Sequence, residues 1–206
     1  MNRAAIVLLV FLSNAAWGQD AKYSSADEAL AAEDYPAAIE IMKKEARRGD
    51  LRAARQLAEF YRDGKGVARD PAKALDFFLR AAKPDIRRAR FKKGLPEAQL
   101  EVAKMYRDGI GTAPDPTKAA KWYRLAAEQD QGEGQLALAE MYLQGKGLEQ
   151  DYAAAYRWAT MAHNNLVEDE AETAARIRDE AAEHLSEEEL AELKKDAEEQ
   201  AGPQAL

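Results

Sequence analysis

Internal repetition constrains this chain more than any single motif does. Three stretches, AARQLAEFYRDGKGVARDPAKALDFFLRAAK from Ala53, AQLEVAKMYRDGIGTAPDPTKAAKWYRLAAEQ from Ala98 and GQLALAEMYLQGKGLEQDYAAAYRWATMAHN from Gly134, align without a gap. Counted from the first glycine of each Gly-x-Gly (Gly64, Gly109, Gly145), Tyr61, Tyr106 and Tyr142 stand three residues before it and Ala58, Ala103 and Ala139 six before. Asp70, Asp115 and Asp151 stand six after it, Ala74, Ala119 and Ala155 ten after, and Phe77, Trp122 and Trp158 thirteen after. A unit of about 36 residues, too small to bury its own apolar face, points to stacked helical hairpins. The spacing predicts an all-α fold, a helical solenoid. Val, Ile and Thr are scarce and no alternating run occurs, so no strand is expected.

Within each copy the local chemistry marks where helices begin and end. Asp70-Pro71 and Asp115-Pro116 are start signals: the carboxylate accepts from unpaired N–H groups of the first turn, and proline presets φ where no donor is missed. The first glycine of each pair can take the left-handed cap conformation that a Cβ penalises. The first helices are placed at about 51–62, 96–108 and 133–143, and the second at about 70–82, 115–129 and 151–163. Upstream, Ser24-Ser25-Ala26-Asp27-Glu28 offers two overlapping capping boxes, Ser24 with Asp27 and Ser25 with Glu28. A short helix through Ala32 and a second from Tyr35 to Arg48 make residues 24–49 a degenerate opening repeat.

The three full repeats are assigned to 50–83, 94–130 and 131–164. The first two are nine residues further apart than the last two, and the surplus lies in a basic insertion, 84–93, whose neighbourhood carries Lys83, Arg87, Arg88, Arg90, Lys92 and Lys93 against Asp85 alone. It reads either as a longer solvated connector or extra helical turn, or as a patch for an acidic protein tail or for anionic lipid or polymer. Residues 165–200 should form two capping helices, Glu168–His184 and one opened by the capping box Ser186-Glu187-Glu188-Glu189. Fourteen Asp or Glu against four Lys or Arg from Glu168 to Glu199 suit the polar end that a stack needs. Residues 201–206 are expected to fray.

The repeated residues resemble the Sel-1-like repeat family, which is related to the tetratricopeptide repeats. The second copy keeps Ala98, Tyr106, Gly109, Gly111, Asp115, Lys118, Ala119, Trp122, Ala126 and Ala127 of that pattern. The third departs most, with Ala154 where Lys is usual and His163 where Ala is; all three have Ala where a glycine usually follows the first-helix Leu. The resemblance implies a right-handed α-α superhelix, a solenoid scaffold that binds other proteins, commonly in the cell envelope.

Met1-Asn2-Arg3, the apolar run Ala4–Leu12 and the small-x-small Ala16-Trp17-Gly18 have the layout of a cleaved secretory signal, residues 1–18. That implies an exported, periplasmic protein with no integral span after cleavage. The chain has no cysteine, hence neither disulfide nor thiol nucleophile. Its two histidines, His163 and His184, lack a second ligand at helical spacing, and no metal or other cofactor is expected. Gly-x-Gly here follows no strand and is not completed to a phosphate-binding motif. Ser24, Ser25 and Ser186 all fit helix caps, so no catalytic residue is assigned and the chain reads as a non-enzyme. A formal charge of −7 and an extracytoplasmic address argue against nucleic acid.

Binding surface is then the relevant feature. Positions i, i+3, i+7 and i+10 of each first helix share a face, taken as the concave one. The first copy presents Arg52, Arg55, Glu59 and Arg62; the second Glu97, Leu100, Lys104 and Arg107; the third Glu133, Leu136, Glu140 and Leu143. Such a face grades from basic to apolar and acidic, a bed for an extended or helical segment with an acidic end, or else an ordinary solvated surface. An envelope enzyme or cell-wall-ligand module, and a purely structural assembly factor, are the competing readings.

Overall fold

The computed structural model describes residues 22–83 and 93–201, with side chains to residue 199. The proposed signal, residues 84–92 of the basic insertion and the last five residues lie outside the described residues. Among the described residues there are ten helices and no strand: α1 (Ala26–Ala31), α2 (Tyr35–Arg47), α3 (Leu51–Asp63), α4 (Pro71–Ala82), α5 (Pro96–Asp108), α6 (Pro116–Ala127), α7 (Gly132–Gln144), α8 (Tyr152–Asn165), α9 (Glu168–Ala182) and α10 (Glu187–Ala201). Each helix up to α9 packs on its sequence neighbour. The pairs α3–α4, α5–α6 and α7–α8 are the three full repeats, stacked as a solenoid.

Every full repeat is locked in the same way. Gly64, Gly109 and Gly145 end α3, α5 and α7 at φ 73°, 71° and 65°. Their N–H groups bond back to the carbonyls of Phe60, Met105 and Met141. The N–H groups of Asp70, Asp115 and Asp151 then bond to the carbonyls of Tyr61, Tyr106 and Tyr142 at 2.8, 2.8 and 3.1 Å, closing the loop. Their carboxylates turn the other way and accept from Lys73, Lys118 and Ala154 N–H at 3.0, 2.9 and 2.9 Å. One residue thus satisfies the polar ends of two helices.

The second glycine of each pair sets the register between repeats. A Cβ on Gly66 would lie 2.3 Å from Tyr35 Cβ, one on Gly111 2.3 Å from the Pro71 carbonyl oxygen, and one on Gly147 2.5 Å from that of Pro116. Each therefore abuts the start of the preceding repeat's second helix (α2, α4 or α6), where no side chain fits.

The small residues sit at the helix crossings. Ala58, Ala103, Ala139, Ala74, Ala119 and Ala155 are all fully buried, so neighbouring backbones approach closely, while Phe78 and Tyr123 fill the wider gaps. Buried residues run continuously from α1 to α10 in three overlapping clusters, the last centred on Ala159, Ile177 and Leu193. At the N-terminus the expected pair of capping boxes resolves differently. Ser25 caps α1 by accepting from Glu28 N–H at 3.1 Å, and the Glu28 carboxylate takes the N–H and hydroxyl of Ser24, both at 2.7 Å. Ser24 therefore caps nothing itself. Ser186 and Glu189 form the reciprocal box as expected, at 2.9 and 3.3 Å.

Candidate interaction surface

The first helices α3, α5 and α7 bring part of the expected face together. A shallow groove of about 260 Å³ is lined by Arg55, Glu59, Arg62, Glu97, Leu100, Lys104 and Glu133, joined by Glu101 and Gln131. Arg52, Arg107, Leu136, Glu140 and Leu143 do not line it. Arg52, Arg107 and Glu140 are exposed beyond it, Leu136 is half-buried, and Leu143 is packed with Ile177 and Leu193 under the capping helices. Leu100 supplies an apolar spot on the groove floor although it is only 8% exposed.

Most of the groove's charges, Glu97 apart, are paired with one another. Arg55 bonds Glu59 one turn on at 2.5 Å, Arg62 of α3 reaches Glu101 of α5 at 2.8 Å, and Lys104 of α5 reaches Glu133 at the start of α7 at 2.5 Å. Glu101 also lies 3.7 Å from Lys104, so one run of ion pairs crosses three repeats. Arg62 is further held by Asp63 at 2.8 Å, which keeps the Asp63 carboxyl below its ordinary range. Arg107 does the same to Asp108. The expected basic end is thus neutralised by Glu59, Asp63 and Glu101, and the face presents alternating paired charges. Glu101 escapes a reading by face periodicity because it lies one residue beyond the Leu100 stripe. Its spacing of three to Lys104 is the signal that could have found it.

A second set of polar residues, also missed from sequence, lies between repeats. Gln99 and Gln135, ten residues before Gly109 and Gly145, are fully buried. Their amide nitrogens donate to the last carbonyls of the preceding second helices, Ala82 at 3.0 Å and Ala127 at 3.2 Å. Their amide oxygens accept from Gln129 at 2.8 Å and Asn165 at 2.9 Å. Each is a strut that satisfies a buried helix end. Among the described residues no group of three or more His, Cys, Asp or Glu is placed to hold a metal ion. His163 contacts the Ala171 carbonyl at 3.0 Å, and His184 stacks on Tyr152 with ring centroids 4.1 Å apart. No helix among the described residues is long and apolar enough to cross a membrane.

Stacked helical hairpins with closely packed alanines and a glycine-turned loop define an α-solenoid repeat protein. The Sel1 repeat family model matches residues 51–83, 96–131 and 132–162, and the chain belongs to the Sel1 repeat family. Solved structures agree. A Sel1 repeat protein from Oxalobacter formigenes is 24% identical with a TM-score of 0.58, over 68% of this chain and 54% of that one. A protective antigen present in uropathogenic Escherichia coli strains, described as displaying an SLR fold, is 28% identical with a TM-score of 0.55, over 73% of this chain and 34% of that one. This chain therefore spans about half of the first protein and a third of the second. No curated protein matches it. Sel1 repeat proteins generally mediate protein–protein interaction.

Proposed function

We propose that this protein is a non-catalytic scaffold of the cell envelope that binds a protein partner along the concave face of its solenoid, in the groove of α3, α5 and α7. The observation that carries this reading is the run of ion pairs from Arg62 through Glu101 and Lys104 to Glu133, with Leu100 beside it. Side chains that already pair at the surface of three successive repeats can exchange their partners for those of a bound segment at small net electrostatic cost, because exposed pairs contribute only about 0–1 kcal/mol each. Such a surface discriminates by charge pattern and apolar register more than by net charge. Its occupant is an extended or helical segment carrying both signs of charge around an apolar residue.

Export to the periplasm is part of the proposal and rests on the layout of residues 1–18. Crosslinking in the envelope, followed by mass spectrometry, tests the reading directly. Captured proteins should be lost when Arg55→Glu and Lys104→Glu are combined, while the helical circular dichroism signal stays unchanged. Undiminished capture by that folded variant would remove the groove from the proposal.

A further inference from the structure

Among the departures of the third repeat from the other two, one lies in the wall of a cleft. In the first repeat Lys73 bridges two groups: its ammonium lies 2.9 Å from the Asp70 carboxylate and 5.5 Å from the centre of the Tyr61 ring. In the second, Lys118 does the same, 3.0 Å from Asp115 and 5.3 Å from the Tyr106 ring. Each lysine thus covers an aromatic face and neutralises the carboxylate oxygen that the helix N-terminus leaves over. The equivalent residue of the third repeat is Ala154. Asp151 still caps α8 through one oxygen. Its other oxygen has no partner among the described residues, and Asp151 is exposed where Asp70 and Asp115 are half-buried.

Tyr142, Asp151 and Ala154 line a cleft of about 600 Å³, far larger than the groove on the first helices. Its apolar wall comes from Trp158 and Met161 of α8, and Leu193 of α10 closes the far side. Two other charges border it, Arg157 on α8 and Asp196 on α10, of opposite sign. Arg124 of α6 donates to the Tyr142 hydroxyl but lines a separate depression beside Leu148, so it does not fill the cleft.

The geometry points to this cleft as a docking site for a lysine side chain of a partner protein, whose ammonium would take the place that Lys73 and Lys118 hold in the other repeats, between Asp151 and Tyr142, with an apolar neighbour of that lysine on Trp158 and Met161. The first two repeats supply that lysine from within the chain; in the third, Arg124 of α6 lies over the Tyr142 ring, 5.9 Å from its centre, and it is the Asp151 carboxylate that is left to an outside donor. The site lies between the end of α7, α8 and α10, and shares no residue with the groove proposed above.

The probe is a blocked Leu-Lys-Leu tripeptide, with Leu-Gln-Leu as its neutral control, titrated into the full chain and followed by ¹⁵N–¹H spectra. The expected result is saturable movement of the Trp158 indole and of the Tyr142 and Asp151 amides with the lysine peptide and not with the glutamine one. Ala154→Lys installs the side chain that the other repeats already accommodate, so the fold is retained, and binding should weaken at least about tenfold. Asp151→Asn keeps the helix cap but loses the charge, and should weaken binding as well. Equal shifts from the glutamine peptide would overturn the proposal, as would undiminished binding by Ala154→Lys. So would shifts centred on Leu100 and Lys104, or none at all.

Discussion

Tyr123 carries a hydroxyl that is buried and has no hydrogen-bond partner, the one such side-chain atom among the described residues. Burial pushes its phenol up to about 12. Fourteen residues after the first loop glycine, the first repeat places Phe78 at the same position, and there the ring packs with no polar atom to satisfy. An unpaired buried hydroxyl costs about 1–3 kcal/mol, so Tyr123→Phe should stabilise the protein, by about 1 kcal/mol once lost contacts are allowed for. A urea midpoint that moves down in the variant would show that the hydroxyl is paired in solution. Sequence alone shows only an aromatic residue next to the repeated Trp122. It does not reveal the orphaned oxygen, because that depends on what α5 and α7 place around it.

Helix ends divide into those legible in the sequence and those decided by packing. The Asp-capped starts of α4, α6 and α8 and the glycine stops of α3, α5 and α7 fall within two residues of their expected places, because capping is a contact between residues three or four apart. The far ends of α4 and α6 are finished instead by the buried glutamines of the following repeat. Gln99→Ala removes the donor to the Ala82 carbonyl and one acceptor of the half-buried Gln129 amide, a loss of about 1–3 kcal/mol. Thermal unfolding should drop accordingly, and hydrogen exchange should accelerate where α4 meets α5 before it does elsewhere. Equal protection across all three repeats would contradict that role. Nothing in a lone Gln announces it. The cue was there, however, in two Gln residues at one repeat position, Gln99 and Gln135, where the first repeat has Ala54.

For the molecule as a whole, many carboxylates are held below their ordinary range: Asp63 by Arg62, Asp108 by Arg107, Asp70 by the Lys73 ammonium and Asp115 by the Lys118 N–H. A depressed carboxylate adds stability that is fully present above its unfolded value, near pH 4 for Asp, and is lost as pH falls through the lower folded one. Glu45 runs the other way, raised by burial first and by Asp50 and Asp27 after it. Carboxylates of the first kind outnumber it, so the unfolding temperature should stay level from neutral pH to about pH 5 and fall below about pH 4. Each contribution is small because the groups face solvent. A level profile down to about pH 2.5 would mean that these pairs add nothing.

By itself the sequence determined the hairpin unit, its period, its caps and the kind of fold they build, since these follow from contacts within a dozen or so residues and from a repeat that must stack to bury its apolar face. It also pointed to the first-helix face and to Ala154 as the third repeat's odd residue. Only the tertiary structure decided that Arg62 meets Glu101, that Leu143 lies under α9 and α10, and that Ala154 and Leu193 line one cleft. Those outcomes depend on how far each helix is rotated against the next. That rotation is set by the joint packing of alanines and glycines on two different repeats, which no single stretch of the chain encodes.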